Sequence, residues 1–419
     1  MARMIVAGFG CAGYSAVKAM RKAGYTDEIR VYSDVSEAPY NPMLTTYYVS
    51  GKIERPGMFP FGPLPEIAAK YDLTVCTERA VTAVCAEEKK VKLDDGSVCG
   101  YEKLLIATGA RAFAPPIKGV PGRNIYMMRT LKDADDLLKT LEEEKIRSAV
   151  VVGASMAGIK VAELFARRGI SCTLADFAPH IFPLAALPEA AERIEKRVRK
   201  RGVNLLFGAG ISEIRDTGGR LISCFSTGER LESDVVVLCI GTRANTEIAN
   251  PAEIETGRGI VVDDHMRTSA QDVYAAGDCC EGRNLQSGEH QIIGLWANAE
   301  YQGRCAGRNM AGMDCTYQGN ILHNITGFMG TYFIGMGDNR IAGTVSEYEA
   351  PDGMYIQTVS GKGRITCLNI IDACQESGIV KSIFMRQFEH PNCELTPVEL
   401  AKLRKAGIPE RMISVLRGR

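Results

Sequence analysis

Residues 4–13 read Met-Ile-Val-Ala-Gly-Phe-Gly-Cys-Ala-Gly, and their reading decides the fold. Ile5, Val6 and Ala7 form the short apolar run of a buried strand. Gly8, Gly10 and Gly13 then give G-x-G-x-x-G, with Cys11 and Ala12 completing the turn. From Tyr14 to Ala23 the pattern predicts a helix with Ala16, Val17 and Met20 on one face. The first glycine permits a tight turn, the second lets a pyrophosphate approach the backbone, and the third lets helix and strand pack closely. The helix N-terminus offers free N–H groups and a positive dipole end to the phosphates. A Gly-rich turn alone serves equally as a plain link between strand and helix. Here a second strand, Ile29–Tyr32, follows, with Ser33 and Asp34 at its end. That βαβ context points to a bound dinucleotide.

The pattern recurs. Ser148–Val152 reads as a strand, Gly153-Ala-Ser-Met-Ala-Gly158 repeats the phosphate turn with Ser155 in the middle glycine's place, and a helix follows over Ile159–Arg167. The strand Ser171–Ala175 and then Asp176 complete a second unit. Asp176 stands where an acidic residue receives a ribose 2′-hydroxyl, or else caps a turn. The following Phe-Ala-Pro-His carries no Arg or Lys for a 2′-phosphate, so NADH is expected over NADPH, with His180 as a possible compensating group. This internal duplication organises the chain.

At 419 residues the chain holds two or three domains. Its 46% apolar and 24% charged content is ordinary for a soluble protein, and zero net charge gives no reason to expect nucleic acid or a membrane surface as partner. No apolar run approaches the roughly 18 residues of a spanning helix, and the first strand begins too early for a signal peptide. A cytoplasmic protein is expected. Its fourteen cysteines show no C-x-x-C spacing, so neither a zinc site nor an iron–sulfur cluster of its own is expected. The five histidines (180, 265, 290, 323 and 390) have no metal spacing, and no metal is assigned.

Between the two turns, Tyr40-Asn41-Pro42-Met43 opens a loop and short helix, and β-like runs over 73–106 end in Ala107-Thr108-Gly109. A helical stretch, Asp133–Glu144, leads into the second unit. After it, Val235-Val-Val-Leu-Cys-Ile-Gly241 is another buried strand closed by glycine. A strand then leads to Gly277-Asp278, and residues 295–310 read as a helix. From 319 the texture is β-rich, as in Met354–Val359 and Ile365–Ile371. The chain ends in a helical pair opened by the capping box Thr396-Pro-Val-Glu399. From Lys381 to Arg419 there are eight Lys and Arg against four Glu, either a solvated face or a docking surface for an acidic partner.

Taken in order, Gly8–Gly13, Ala107-Thr108-Gly109, Gly153–Gly158 and Gly277-Asp278 resemble the two-dinucleotide-domain flavoproteins, the pyridine nucleotide–disulfide oxidoreductases, over nearly the whole chain. Pro39-Tyr40-Asn41 and the stretch Gly327–Asp338 are closest in pattern to the nitrite reductase large subunit and to rubredoxin and ferredoxin reductases. The resemblance implies an α/β fold: two Rossmann-like domains of the three-layer ββα type and a small α+β C-terminal domain. It places FAD on 1–111 with 235–318, NAD(H) on 112–234, and an interface or docking domain on 319–419. Gly8, Gly10, Cys11, Ala12, Gly13, Ser33, Asp34, Asn41, Pro42, Thr108, Gly109, Gly277 and Asp278 are then candidate FAD-side residues, and Gly241 is a further cofactor-binding candidate. Gly153, Ser155, Met156, Gly158 and Asp176 are candidate NAD(H) residues.

Three positions depart from the family. Lys160 stands where many members place a Glu beside the nicotinamide, and Tyr47 where ferredoxin reductases often carry a lysine. Met43 occupies the slot of the redox cysteine of peroxidases, oxidases and disulfide reductases, and a thioether cannot act as a thiolate. No catalytic side chain is therefore assigned; the flavin mediates hydride transfer. With no cluster in this chain, the implied acceptor or donor is an iron–sulfur protein. The chain is then a stand-alone reductase or the flavin subunit of an aldehyde- or 2-oxoacid-oxidising complex, as a homodimer or a hetero-oligomer. Two other readings stand beside it, an NADH oxidase using oxygen and a flavin-bound sensor. Cys279 and Cys280, directly after Asp278, are either inert packing or redox-active.

Overall fold

Valine, isoleucine and alanine runs with no exposed position make the centres of two parallel sheets, covered on both faces as such sheets require. The computed structural model describes residues 4–113, 115–361, 363–389 and 394–417. Along the chain come β1 (Met4–Ala7), α1 (Cys11–Lys22), β2 (Ile29–Tyr32), β3 (Leu73–Cys76) and β4 (Lys103–Ile106). Next are β5 (Ile125–Met127), α2 (Leu131–Glu143), β6 (Ser148–Val152), α3 (Met156–Arg167), β7 (Ser171–Ala175), α4 (Pro188–Lys200) and β8 (Val203–Leu206). Then follow β9 (Val235–Leu238), β10 (Val273–Ala275) and α5 (Trp296–Met310). The last group is β11 (His323–Phe328), β12 (Thr331–Gly337), β13 (Thr344–Glu349), β14 (Tyr355–Gly361) and β15 (Arg364–Ile371), then α6 (Ser377–Glu389), α7 (Pro397–Lys405) and α8 (Glu410–Leu416).

One compact unit comprises the residues up to Arg111 with Thr242–Asn320. Its parallel sheet runs β10-β4-β1-β2-β3, with Met4 opposite both Ile29 and Lys103. A three-stranded antiparallel layer (Val81–Cys85, Lys90–Leu93, Val98–Gly100) accompanies it. Two helices distant in sequence, α1 and α5, pack at backbone contact: a Cβ on Gly303 would stand 2.2 Å from Ala12 O, and one on Gly307 2.2 Å from Ala16 O. No larger residue fits there without parting the helices.

The other unit comprises Ala112–Gly241 with Ile321–Arg419. Its parallel sheet runs β8-β7-β6-β9-β5, again beside a three-stranded antiparallel layer (Ile211–Asp216, Leu221–Phe225, Arg230–Ser233). The two sheets repeat one plan, β1, β2, β3 and β4 answering to β6, β7, β8 and β9. The outermost strand, β10 in one and β5 in the other, comes late in the first unit's sequence and early in the second's. Val235–Leu238, set by the sequence with the first unit, pairs instead with Ser148–Val152, Val236 opposite Val150. The reason is burial: this run has no exposed residue and fills the slot that β4 fills beside β1.

Residues 319–419, which the sequence sets apart as a third domain, divide after Asn320: Ile321–Arg419 carry an antiparallel sheet, β11-β12-β15-β14-β13, within the second unit. Asn369 on β15 ties that sheet to the lead-in of α4, accepting from Leu187 N at 2.6 Å and donating to Ala185 O at 2.8 Å. Arg197 on α4 pairs with Asp372.

The helices start earlier than the pattern predicted. Tyr14 N donates to Gly10 O and Ile159 N to Ser155 O, both at 3.0 Å, so the third glycine of each turn lies inside its helix.

The starts of β6 and β9 are joined by one carboxylate. Asp234 Oδ2 accepts from Arg147 N (2.8 Å), Ser148 N (2.9 Å) and Ser148 Oγ (3.0 Å). Burial alone would raise its pKa, but these bonds outweigh that and hold it below the usual carboxylate value. Asp234→Ala should therefore cost about 1–3 kcal/mol at pH 7. The stabilisation exists above the unfolded-state pKa and is lost as pH falls through the folded one, so thermal midpoints of variant and wild type should converge in acid. A gap that is constant with pH would contradict this role.

Candidate functional site

The first turn is built on forced backbone proximity. Gly8 has φ +99°, and a Cβ there would stand 2.3 Å from Ala107 O; one on Gly13 would stand 2.3 Å from Gly8 O. At Gly10 a Cβ would meet nothing within 4 Å. Two of the glycines are thus demanded by the protein itself. Gly10 is demanded by nothing in the chain, and its open side leaves the room that a pyrophosphate would need to reach the backbone.

The structure gathers the distant motifs around this turn. Gly277 (φ +89°) sits against Ala12, 3.0 Å from its Cβ when given one of its own, and its N–H donates to Gln302 Oε1 at 2.9 Å. Asp278 is near enough to Cys11 to add to the rise of its thiol pKa, which burial drives up to about 12. Cys11 is therefore a packed thiol, donating to Trp296 O at 3.5 Å. Thr108 and Gly109 are fixed by Asn245. Its side-chain amide donates to Thr108 O (2.9 Å), its N–H donates to Gly109 O (3.0 Å), and its carbonyl accepts from Thr108 Oγ1 (2.8 Å). Neither Asn245 nor Gln302 is legible from the sequence as part of the site, because each acts through long-range bonds to a motif rather than within one. Ser33 is buried at the end of β2, and Asp34 is exposed beside it. Asn41 Oδ1 accepts from Met43 N at 3.0 Å and caps a short helical turn whose first residue is Pro42.

The second turn repeats the construction. Gly153 has φ +106°, and its Cβ would stand 2.3 Å from Cys239 O; that of Gly158 would stand 1.9 Å from Gly153 O. Ser155, in the middle glycine's place, is the N-cap of α3. Its Oγ accepts from Gly158 N at 3.3 Å and donates to Cys239 O at 3.1 Å, with Met156 half-buried as the first helical residue. Asp176, buried at the end of β7, accepts from Ala154 N (2.6 Å) and Ala178 N (2.8 Å). Its carboxylate thereby anchors the turn itself. Phe177, next along, is 79% exposed. His180 Nδ1 lies 3.3 Å from Glu195 Oε1, so it is engaged there. Gly241 (φ +111°) closes β9 as Gly109 (φ +64°) closes β4.

Lys160, on α3, donates to Gly327 O, and Glu163 Oε1 accepts from Met329 N at 3.0 Å and from Arg167 Nε at 3.1 Å. These two buried side chains clasp α3 to the β11–β12 hairpin. Met43 is 57% exposed, and Lys52 Nζ lies 5.2 Å from the Tyr47 ring centroid.

Cys279 and Cys280 are buried, donating to the carbonyls of Ile106 and Ala276 and of Gly277. Burial raises both thiols above the usual cysteine value. Among the described residues no group of three His, Cys, Asp or Glu is placed to hold a metal, and no helix is long and apolar enough to cross a membrane. His390 and Cys393 lie outside the described residues.

Open space over Gly10, amides ahead of Tyr14 and Ile159, and an acid at the end of β7 fit two adenine dinucleotides, FAD and NAD(H). Comparison with known proteins agrees. The family model described as pyridine nucleotide-disulphide oxidoreductase matches residues 2–303. The epsilon subunit of NADH-dependent phenylglyoxylate dehydrogenase from Aromatoleum evansii is 27% identical over 94% of this chain and 93% of its own. Rubredoxin-NAD(+) reductase from Ectopseudomonas oleovorans is 31% identical over 67% of this chain and 72% of its own. The putidaredoxin reductase–putidaredoxin crystal structure shares the fold with a TM-score of 0.86 at 21% identity, over 97% of this chain and 99% of that one.

The two glycines of the first turn should respond differently to substitution. Gly8→Ala should fail to fold or lose several degrees in thermal midpoint. Gly10→Ala should leave the midpoint of FAD-free protein within a degree or so and weaken FAD binding at least tenfold, about 1.4 kcal/mol. Equal FAD affinity in Gly10→Ala, by fluorescence titration, would contradict the assignment.

Proposed function

The chain belongs to the pyridine nucleotide–disulphide oxidoreductase family, and on that ground we propose that it is an FAD-dependent NAD(H):acceptor oxidoreductase exchanging electrons with an iron–sulfur protein. The observation that carries this reading is the pair of phosphate turns. In each, protein backbone forces the outer glycines, and the first turn leaves its middle glycine open. Bound FAD supplies the chemistry, accepting a hydride from NADH and releasing electrons singly to a cluster. FAD is assigned to the unit formed by the residues up to Arg111 with Thr242–Asn320, and NAD(H) to residues 112–241. The sheet β11–β15 and the helices after it are the docking or dimerisation face.

Within the first unit, the amides ahead of Tyr14 bind the FAD pyrophosphate. Asp278 receives a ribityl hydroxyl, and Thr108 and Gly109 line the adenosine side. Within the second, Ser155 and Gly158 frame the NADH pyrophosphate. Asp176 fixes the turn and receives the ribose, and the exposed face of Phe177 carries the adenine. With Asp176 acidic and His180 engaged by Glu195, nothing there favours a 2′-phosphate, and the cofactor is NADH. Met43 brings a thioether to the slot of the redox thiol, which directs electrons outward to a partner. The fourteen cysteines suit a reducing cytoplasm. The match to a dehydrogenase epsilon subunit over nearly both full lengths supports the role of flavin subunit in a larger complex.

Steady-state kinetics test both halves of the proposal. Turnover with a rubredoxin or ferredoxin should exceed oxygen consumption by at least tenfold; the reverse ratio would make it an oxidase, and no turnover a sensor. Asp176→Ala and Phe177→Ala should each raise KM for NADH roughly tenfold (about 1.4 kcal/mol) while FAD content stays at wild type. Loss of FAD in Asp176→Ala would show that the two nucleotides have been assigned to the wrong units.

A further inference from the structure

Beyond the nucleotide turns, one pair of sulfurs is held in a frame of its own. Cys305 lies on α5 between Gly303 and Gly307, the two positions at which that helix touches α1, and is 3% exposed. Cys315, in the loop after the helix, is half-buried. Cys305 Sγ is 3.1 Å from Cys315 O, and the two thiols lie near enough to perturb one another.

Asn309, one turn beyond Cys305, sets the register. Its Nδ2 reaches Cys305 Sγ (3.5 Å), Cys315 O (2.7 Å) and His265 O (2.8 Å), and its Oδ1 accepts from Cys315 N (2.9 Å). From the other side His265 Nδ1 approaches Cys315 O at 3.1 Å and Asp314 Oδ1 at 3.3 Å. The loop is thus fixed with its sulfur against the helix.

We propose that Cys305 and Cys315 are an oxidant-responsive dithiol that closes to an intramolecular disulfide under hydrogen peroxide. Cys315, the less buried partner, attacks first: its thiolate sulfur bonds to one peroxide oxygen as the O–O bond breaks, and the departing hydroxide takes up the proton that the Cys315 thiol released and leaves as water. Cys305 sulfur then bonds to the Cys315 sulfenic sulfur as the S–O bond breaks, the departing hydroxide taking the Cys305 proton. Two thiols and one peroxide give one disulfide and two waters, with two electrons passing from sulfur to peroxide. Dithiols of this kind are how a reducing compartment uses disulfides, transiently and as sensors. The bond would staple the loop that leaves the first unit at Asn320 to the helix packed over the Gly8–Gly13 turn.

The test uses the full chain with its bound flavin, reduced, desalted, exposed to graded hydrogen peroxide, alkylated with iodoacetamide and digested with trypsin. The expected product joins Cys305-Ala-Gly-Arg308 to the peptide beginning at Asn309, two hydrogens lighter than the sum of the free thiol peptides. It should form before any other cysteine is oxidised and disappear with dithiothreitol. Oxidation should raise the thermal midpoint by a few degrees in wild type. Cys315→Ser should abolish both the joined peptide and the rise, and Cys305→Ala provides a second variant should the first fold poorly. Recovery of Cys305 and Cys315 as separately alkylated peptides while other cysteines oxidise would overturn the proposal. So would oxidation of Cys315 to the sulfinic acid with no joined peptide.

Discussion

A carbonyl oxygen standing 2.3 Å from where the β-carbon of Gly8 would be is the constraint from which the first unit is built. Strand β1 can reach helix α1 only if the chain turns against Ala107, and only glycine, with no side chain and free access to positive φ, makes that turn. Gly13 continues the logic by letting the helix rest on Gly8 O, and Gly303 and Gly307 let α5 rest on α1. Four residues without side chains therefore bring three sequence-distant segments to backbone contact. What remains open at their centre is a set of helix-terminal amides, which is an anion site by construction.

The duplication shows which parts of that design are free to vary. Gly153 and Gly158 reproduce the forced contacts, with Cys239 in the place of Ala107. The middle position differs: Gly10 is open, whereas Ser155 uses its hydroxyl to bridge Gly158 N and Cys239 O. The end of the second strand differs too, a buried Ser33 in one unit and a buried Asp176 in the other. Asp176 binds the amide of Ala154 inside the turn, so the charge that would meet a ribose also holds the phosphate loop. A substitution there would disturb the turn as well as any ribose contact.

Much of this was legible because it is local. Strand, G-x-G-x-x-G turn and helix are contiguous, and the three members fix one another within some twenty residues. The antiparallel layer at 211–233 also left a local trace, with alternation in Leu221-Ile-Ser-Cys-Phe225 and glycine turns at 218 and 228, but short strands of mixed polarity compete weakly with the longer apolar runs around them. What could not be read was long-range. The assignment of β9 depends on which sheet accepts it, and a run of valines fits either. The clasp of Lys160 and Glu163 on the β11–β12 hairpin depends on two backbone groups far along the chain. Asn245 and Gln302 are ordinary polar residues until a motif is folded against them. The depth of Cys279 and Cys280 was hidden as well, since adjacent cysteines in a sequence carry no sign of it.

With FAD proposed for the first turn and NAD(H) for the second, NADH should reduce the flavin. An anaerobic titration of the purified chain with NADH, followed by absorption at about 450 nm, reads that reduction. One bound flavin per chain should be fully bleached by about one equivalent of NADH and unaffected by NADPH at the same concentration. Protein that takes up no FAD, or whose flavin absorption is unchanged by excess NADH, would contradict these assignments.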